Sequence, residues 1–246
     1  IKEIQSVLIP EYMTTHQLAL AQMISDTYFT SLGRTLIHFV PNFPVSKRVV
    51  EKVSQKDDLP ISLSSTLKKK LTPLKAPGNH VLSLEIQDQA EAIALLIQNR
   101  QKKSKKNPRS LLILVPEIIG AELLSTALTR YGITHHLLTS QQPKKQYSVT
   151  WESARIPGSV LIGTRQALFA PFTNLGTIIL IDPIDDAYKQ WDMSPRYDGR
   201  RVATFLADYW QADSITISPF IGIADAQKKE EGTLIHTDLV SPLPLA

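Results

Sequence analysis

The chain of 246 residues contains no cysteine. Disulfides and thiolate-held metals are therefore excluded, and a reducing cytoplasm is the expected setting. No apolar run reaches the roughly 18 residues that a membrane helix needs. No leader is visible at the start, where Ile1 is followed at once by Lys2 and Glu3. Glycine is scarce, and between Gly78 and Gly120 there is none at all. A loop that wraps phosphates with backbone N–H groups leans on glycine, so this stretch is a poor host for one. Histidine without cysteine gives no zinc spacing. His135 and His136 fall on an expected strand, which would point their rings to opposite faces. No serine sits in a nucleophile elbow.

What is present is an ordinary globular composition, 43% hydrophobic and 20% charged, enough for one sizeable core. Formal net charge is +4, unevenly spread. The stretch "RQKKSKKNPR" carries Arg100, Lys102, Lys103, Lys105, Lys106 and Arg109 with no acid, and "KKK" stands at 68–70. Solvated loops and phosphate contacts both explain such runs. A start on Ile1 and an end on "SPLPLA", with no closing helix, lead us to expect an excerpt of a longer protein.

Periodicity gives the layout. Residues 3–9 read as a strand ended by Pro10. A helix follows, capped by Thr14 or Thr15, with Leu20, Ile24 and Tyr28 on one face and a stop at Gly33. "TLIHFVP" (35–41) reads as a strand, and 46–79 as a linker with one helical turn. After His80, strands over 81–85, 111–116, 134–138, 159–163, 177–182 and 214–218 alternate with helices over 88–100, 117–132 and 196–210. That alternation implies a mostly parallel sheet, with binding sites at the carboxyl ends of its strands.

The stretches at those ends are specific. "LVPE" (114–117), "GTRQALFAPFTNLGTIILID" (163–182) and "YKQWDMSPRYDGRRVA" (188–203) resemble the first motor lobe of the primosomal protein N′ family, the replication-restart DNA helicases of bacteria. "IKEIQSVLIP" and "QLALAQMISDTYFTSLGRTLIHFVP" resemble what precedes that lobe. The resemblance covers roughly 1–45 and 80–222. It implies an α/β, RecA-like (P-loop NTPase-type) three-layer lobe over 80–246. A small amino-terminal α+β element over 1–45 resembles the end of the DNA-binding domain. Family members couple ATP hydrolysis to movement on DNA, using magnesium, and carry cysteine-bound zinc.

The hydrolytic pieces depart from the family pattern. The phosphate loop falls on "SLEIQDQAE" (83–91), with Gln89 where the family has lysine and Ala90 where it has the magnesium-binding hydroxyl. The acid-ended strand keeps Asp182. It has Pro183 in place of the acid that polarises water, and Asp185 closes the motif. "SPFIG" (218–222) lacks the threonine of the next motif. The expectation is a lobe with no ATP hydrolysis, no catalytic residue and no metal or cofactor, its acids serving as turn and capping groups.

The resemblance implies DNA contacts at Pro116, Gly163, Thr164 and Arg165, and an aromatic loop sensing a strand through Tyr188, Lys189, Trp191, Arg196 and Tyr197. The alternative for Tyr188, Tyr197, Phe169 and Phe172 is packing, and for Arg165 and Arg196 structural ion pairing. The expected partner is single-stranded or forked DNA, with other restart proteins in the scaffold reading and no membrane. Three functions stay open: DNA binding without hydrolysis, a protein-interaction scaffold, and an ATP-dependent helicase in a full-length protein.

Overall fold

The computed structural model describes residues 12–41, 62–71, 78–103 and 106–239. The strand expected over 3–9 and most of the expected linker lie outside these residues. In chain order the elements are α1 (Thr15–Thr27), α2 (Leu32–Leu36), α3 (Ser65–Lys70), β1 (Asn79–Ser83), α4 (Ile86–Lys103), β2 (Ser110–Leu114), α5 (Ile118–Arg130) and β3 (His136–Leu138). They continue with α6 (Lys144–Ser153), β4 (Val160–Gly163), β5 (Leu175–Ile181), α7 (Gly199–Trp210), β6 (Asp213–Ser218), α8 (Ile223–Glu230) and β7 (Ile235–Asp238).

The seven strands form one sheet in the order β3-β4-β2-β5-β6-β1-β7, every pairing parallel. This is the three-layer, RecA-like α/β architecture that the alternation implied. Its central strands are buried on both faces, which is why they read as unbroken apolar runs. Leu112 and Leu114 of β2 join Ile178 and Leu180 of β5 in one core, with Leu20 of α1, Trp151 of α6 and Val202 of α7. Their neighbours Leu111, Ile113, Ile179 and Ile181 point the other way, into a core closed by α4 and α5.

The amino-terminal helix packs on the first of these cores. Thr14 and Gln17 form a capping box at its start, and Leu20, Ala21 and Ile24 are fully enclosed. Two buried polar side chains tie it down: Gln17 Nε2 donates to the Phe169 carbonyl at 2.7 Å, and a His16 ring nitrogen lies 3.3 Å from the Ala170 carbonyl.

Several expectations need correction. The strand read over 35–41 is α2 followed by a 3₁₀ turn (Ile37–Phe39). Ser31 caps α2 through the Arg34 N–H, and Phe39 turns inward, edge-on to Phe169 at 4.9 Å. Gly33 therefore lies inside α2, and α1 stops earlier, where Phe29 takes a positive φ of 49°. Three elements, α6, α8 and β7, have no counterpart in the sequence reading, because each is short and polar. Gly132 does close α5, with φ 68°.

Candidate nucleic-acid interface

Because all strands run the same way, their carboxyl ends share one edge. At the β3–β4–β2 end of that edge the turns after the strands enclose a groove of about 380 Å³. Pro116, Glu117, Ser140, Gln141, Thr164 and Arg165 line it. Two motifs far apart in sequence, "PE" and "TR", thus meet in space as expected. Gly163 lies beneath them, buried. A Cβ there would stand 2.7 Å from the Leu138 carbonyl oxygen and 2.8 Å from Ala167 Cβ, so only glycine lets β4 end this close to β3.

Arg165 is a clamp rather than a free cation. Its Nε donates to Gln190 Oε1 at 2.8 Å and its Nη1 to the Ala187 carbonyl at 2.6 Å. The loop it holds, 182–198, is folded back on itself. Lys189 and Asp198 form an antiparallel bridge, and the Gln190 N–H donates to the Tyr197 carbonyl at 2.8 Å.

That loop corrects the expectation for its tyrosines. Tyr188 is fully buried, and its hydroxyl lies 2.6 Å from the Ile181 carbonyl and 2.9 Å from that of Leu114. Burial pushes its phenol well above the usual range. Tyr197 is buried too, edge-on to Phe169 at 5.2 Å, with its phenol raised by desolvation. Neither ring has a face to offer a base. Both fill the core that supports the loop, as do Phe169 and Phe172.

Trp191, Lys189 and Arg196 behave differently. Trp191 is 61% exposed at the loop tip, and Lys189 Nζ sits 5.1 Å over its ring while pairing with Asp186 at 2.9 Å. Arg196 is exposed on the same tip. Lys144 and Lys145, which open α6 on this edge, went unnoticed in the sequence because the polar helix behind them was not read. A proline–lysine–lysine run after an expected strand was the available signal.

The basic stretch is elsewhere. α4 runs back along the sheet, so its end lies at the amino edge, about 17 Å from the groove for a five-residue strand. There Arg100 pairs with Asp213 at 2.8 Å, and Arg109 donates to the carbonyls of Leu175 and Trp210, both at 2.7 Å. These cations stitch the amino edge and cannot share a footprint with Thr164.

At the other end of the carboxyl edge, Leu84 and Glu85 alone separate β1 from α4. Leu84 is enclosed in the core, and Gln89 is buried with its Nε2 lacking a partner among the described residues. Ala90 packs on that core. Asp182 has φ 46°; burial foremost, then the Asp185 charge, raises its carboxyl, and a hydrogen bond from Ser218 opposes them. The Pro183 carbonyl accepts from Arg200 Nη1 at 2.8 Å, and Asp185 caps the turn through the Ala187 N–H at 2.7 Å. Among the described residues no cluster of three or more His, Cys, Asp or Glu is placed to hold a metal, and no helix is long and apolar enough to cross a membrane.

The comparisons with known proteins agree with the motifs. The chain is 26% identical over 232 residues to the replication restart protein PriA of Helicobacter pylori J99, covering 92% of this chain and 36% of that protein. Over 121 residues it is 37% identical to PriA of Haemophilus influenzae, covering 48% of this chain and 16% of that one. The chain is a divergent relative of PriA. It spans about a third of the length of the Helicobacter protein. No protein-family profile matches it. Among solved structures, S. cerevisiae Dbp5 superposes with a TM-score of 0.48 at 15% identity, over 73% of this chain and 53% of that one. A superposition of that quality adds nothing to the strand order, on which the fold assignment rests.

Proposed function

We propose that this lobe binds a DNA strand across the carboxyl ends of β2, β3 and β4 and the tip of the loop that follows β5, and does so without hydrolysing ATP. The observation that carries the reading is Trp191. It stands 61% exposed on a loop anchored by the buried Tyr188, Gln190 and Tyr197, with a lysine over its indole. An exposed indole on a braced support offers a ready stacking face, and a base is a flat partner that also brings phosphate to Arg196. The Thr164 hydroxyl and the lysines at the start of α6 lie on the same edge and suit a sugar–phosphate backbone. The kinship with a replication restart protein favours DNA as the strand.

Loss of ATP hydrolysis rests on the β1–α4 connection. Two residues, one of them buried, leave no loop to wrap phosphates, and acids Glu85 and Asp88 stand where phosphate would arrive. This weighs against an ATP-driven role for this lobe, with or without further domains.

The test uses the protein's own fluorescence. Trp151 is buried and Trp210 half-buried, so quenching by added oligothymidylate reports on Trp191. Saturable quenching that shifts to higher concentration with added salt supports the reading, together with no magnesium-dependent binding of a fluorescent ATP analogue. Unquenched fluorescence at low salt would overturn the DNA site, and tight ATP binding would overturn the loss of the nucleotide site.

A further inference from the structure

The half of the carboxyl edge formed by β5, β6 and β1 has a surface that neither nucleotide nor DNA explains. Ile86 is 76% exposed, Ile184 60%, Phe220 74% and Ile223 92%. They lie on the turns after three strands that are neighbours in the sheet. A Cβ at Gly222 would touch Ile184 Cγ1 at 3.9 Å, which places the turns after β5 and β6 side by side. Scattered exposed apolar residues are normal, but a contiguous set rimmed by charge marks an interaction surface.

The rim has one sign. Segments 84–88, 182–187 and 219–225 contain Glu85, Asp88, Asp182, Asp185, Asp186 and Asp225 and no lysine or arginine. The bordering cations are already engaged: Lys189 with Asp186, Lys228 with Asp225, Arg200 with Asp198 and Lys229 with His236. Such a rim repels phosphate, which excludes nucleic acid. A second copy docked through the same face would set these acids against one another.

We propose that this face receives an amphipathic helix of a partner protein, with an apolar stripe flanked by lysine or arginine. Charge complementarity selects the flanks. Spacing selects the helix: three adjacent strand ends span about 10 Å, which matches the rise between apolar positions i and i+7 on a helix. Strand addition is not available here, because the face is made of strand ends rather than a sheet edge. The inference does not depend on the DNA reading.

The probes are two labelled peptides of about fourteen residues with leucine at helical spacing, one filled with lysine and the other with glutamate. Fluorescence anisotropy is read on the protein and on two double variants, Phe220→Ser/Ile223→Ser and Asp185→Lys/Asp186→Lys. The lysine peptide should bind at least about tenfold more tightly than the glutamate peptide, and each double variant should lose about that factor. The serine variant alters exposed side chains only, so its circular dichroism should match that of the parent; the lysine variant also removes the Asp185 turn cap and the Asp186–Lys189 pair, and its circular dichroism is checked alongside. In the serine variant oligothymidylate affinity should also stay unchanged, which separates failure here from failure of the DNA site. Equal binding of the two peptides, or lysine-peptide binding that survives the serine variant, would overturn the proposal. So would a dimer of the protein alone that dissociates in the serine variant.

Discussion

One edge of one sheet carries two surfaces of opposite character. The turns after β2, β3 and β4 (115–120, 139–147 and 164–166) hold Lys144, Lys145 and Arg165 against a single acid, Glu117. Segments 182–187, 219–225 and 84–88, which directly follow β5, β6 and β1, hold six acids, no cation and four exposed apolar side chains, and the cations of the β5 loop, Lys189 and Arg196, lie beyond them toward its tip. In a parallel α/β sheet both halves are natural binding positions. The contrast teaches that one parallel sheet can present, along a single edge, an acidic apolar face beside a face with a cationic excess. Tyr188 stands on the boundary, its hydroxyl between the carbonyls of Leu114 on β2 and Ile181 on β5.

The largest expected effect comes from removing that boundary. Tyr188→Ala should destabilise the fold by about 3–5 kcal/mol, as for other buried aromatic deletions, and Tyr188→Phe by about 1 kcal/mol through the lost hydrogen bond. Denaturant titration checks both. A near-neutral Tyr188→Ala would mean the loop is not braced from below.

Acid should loosen the cationic half first. His16 grips the turn after the Thr164–Arg165 motif, and burial, with Arg155 assisting, drops its pKa to about 4 from 6.5 against the opposing Ala170 hydrogen bond. The unfolded chain therefore takes up this proton first as pH falls. The stability tied to a neutral His16 is intact above pH 6.5 and drains away toward pH 4, a loss of up to about 3 kcal/mol. Denaturant melts at several pH values, compared with His16→Gln, should show the parent losing more. Identical slopes would place the titration elsewhere.

Trp191→Ala should cost about 1–3 kcal/mol of single-strand affinity with no change in thermal stability, since the ring is exposed. The smallest effect lies across the boundary. Asp185→Lys/Asp186→Lys should raise DNA affinity a few-fold at low salt, through the field and through release of Lys189 from Asp186 beside Trp191, and the gain should vanish at high salt. A gain that survives salt would mean DNA reaches the acidic half.

How much of this was legible in the sequence follows from what sequence encodes directly. The run at 111–116 announced a doubly buried strand, because burial on both faces removes polar residues. The glycine gap between Gly78 and Gly120 agrees with the short β1–α4 connection, where only Leu84 and Glu85 separate strand from helix. The meeting of Pro116 with Thr164 followed from parallel strands ending on one edge. The burial of Tyr188 and Tyr197 was not legible, since a tyrosine in a loop reads alike whether it faces in or out. Nor was the placement of Arg100 and Arg109 on the far edge, which depends on α4 running the length of the sheet. β7 hid because four residues, "IHTD", carry almost no pattern.

The central claim is that the cationic half binds DNA without nucleotide. The most direct measurement is fluorescence anisotropy of a labelled fork with a single-stranded arm, titrated with the protein and with Trp191→Ala at low and moderate salt, with and without magnesium-ATP. The account predicts salt-sensitive binding by the parent, about tenfold weaker binding by the variant, and no response to ATP. Equal affinity of parent and variant, or binding that ATP switches, would contradict it.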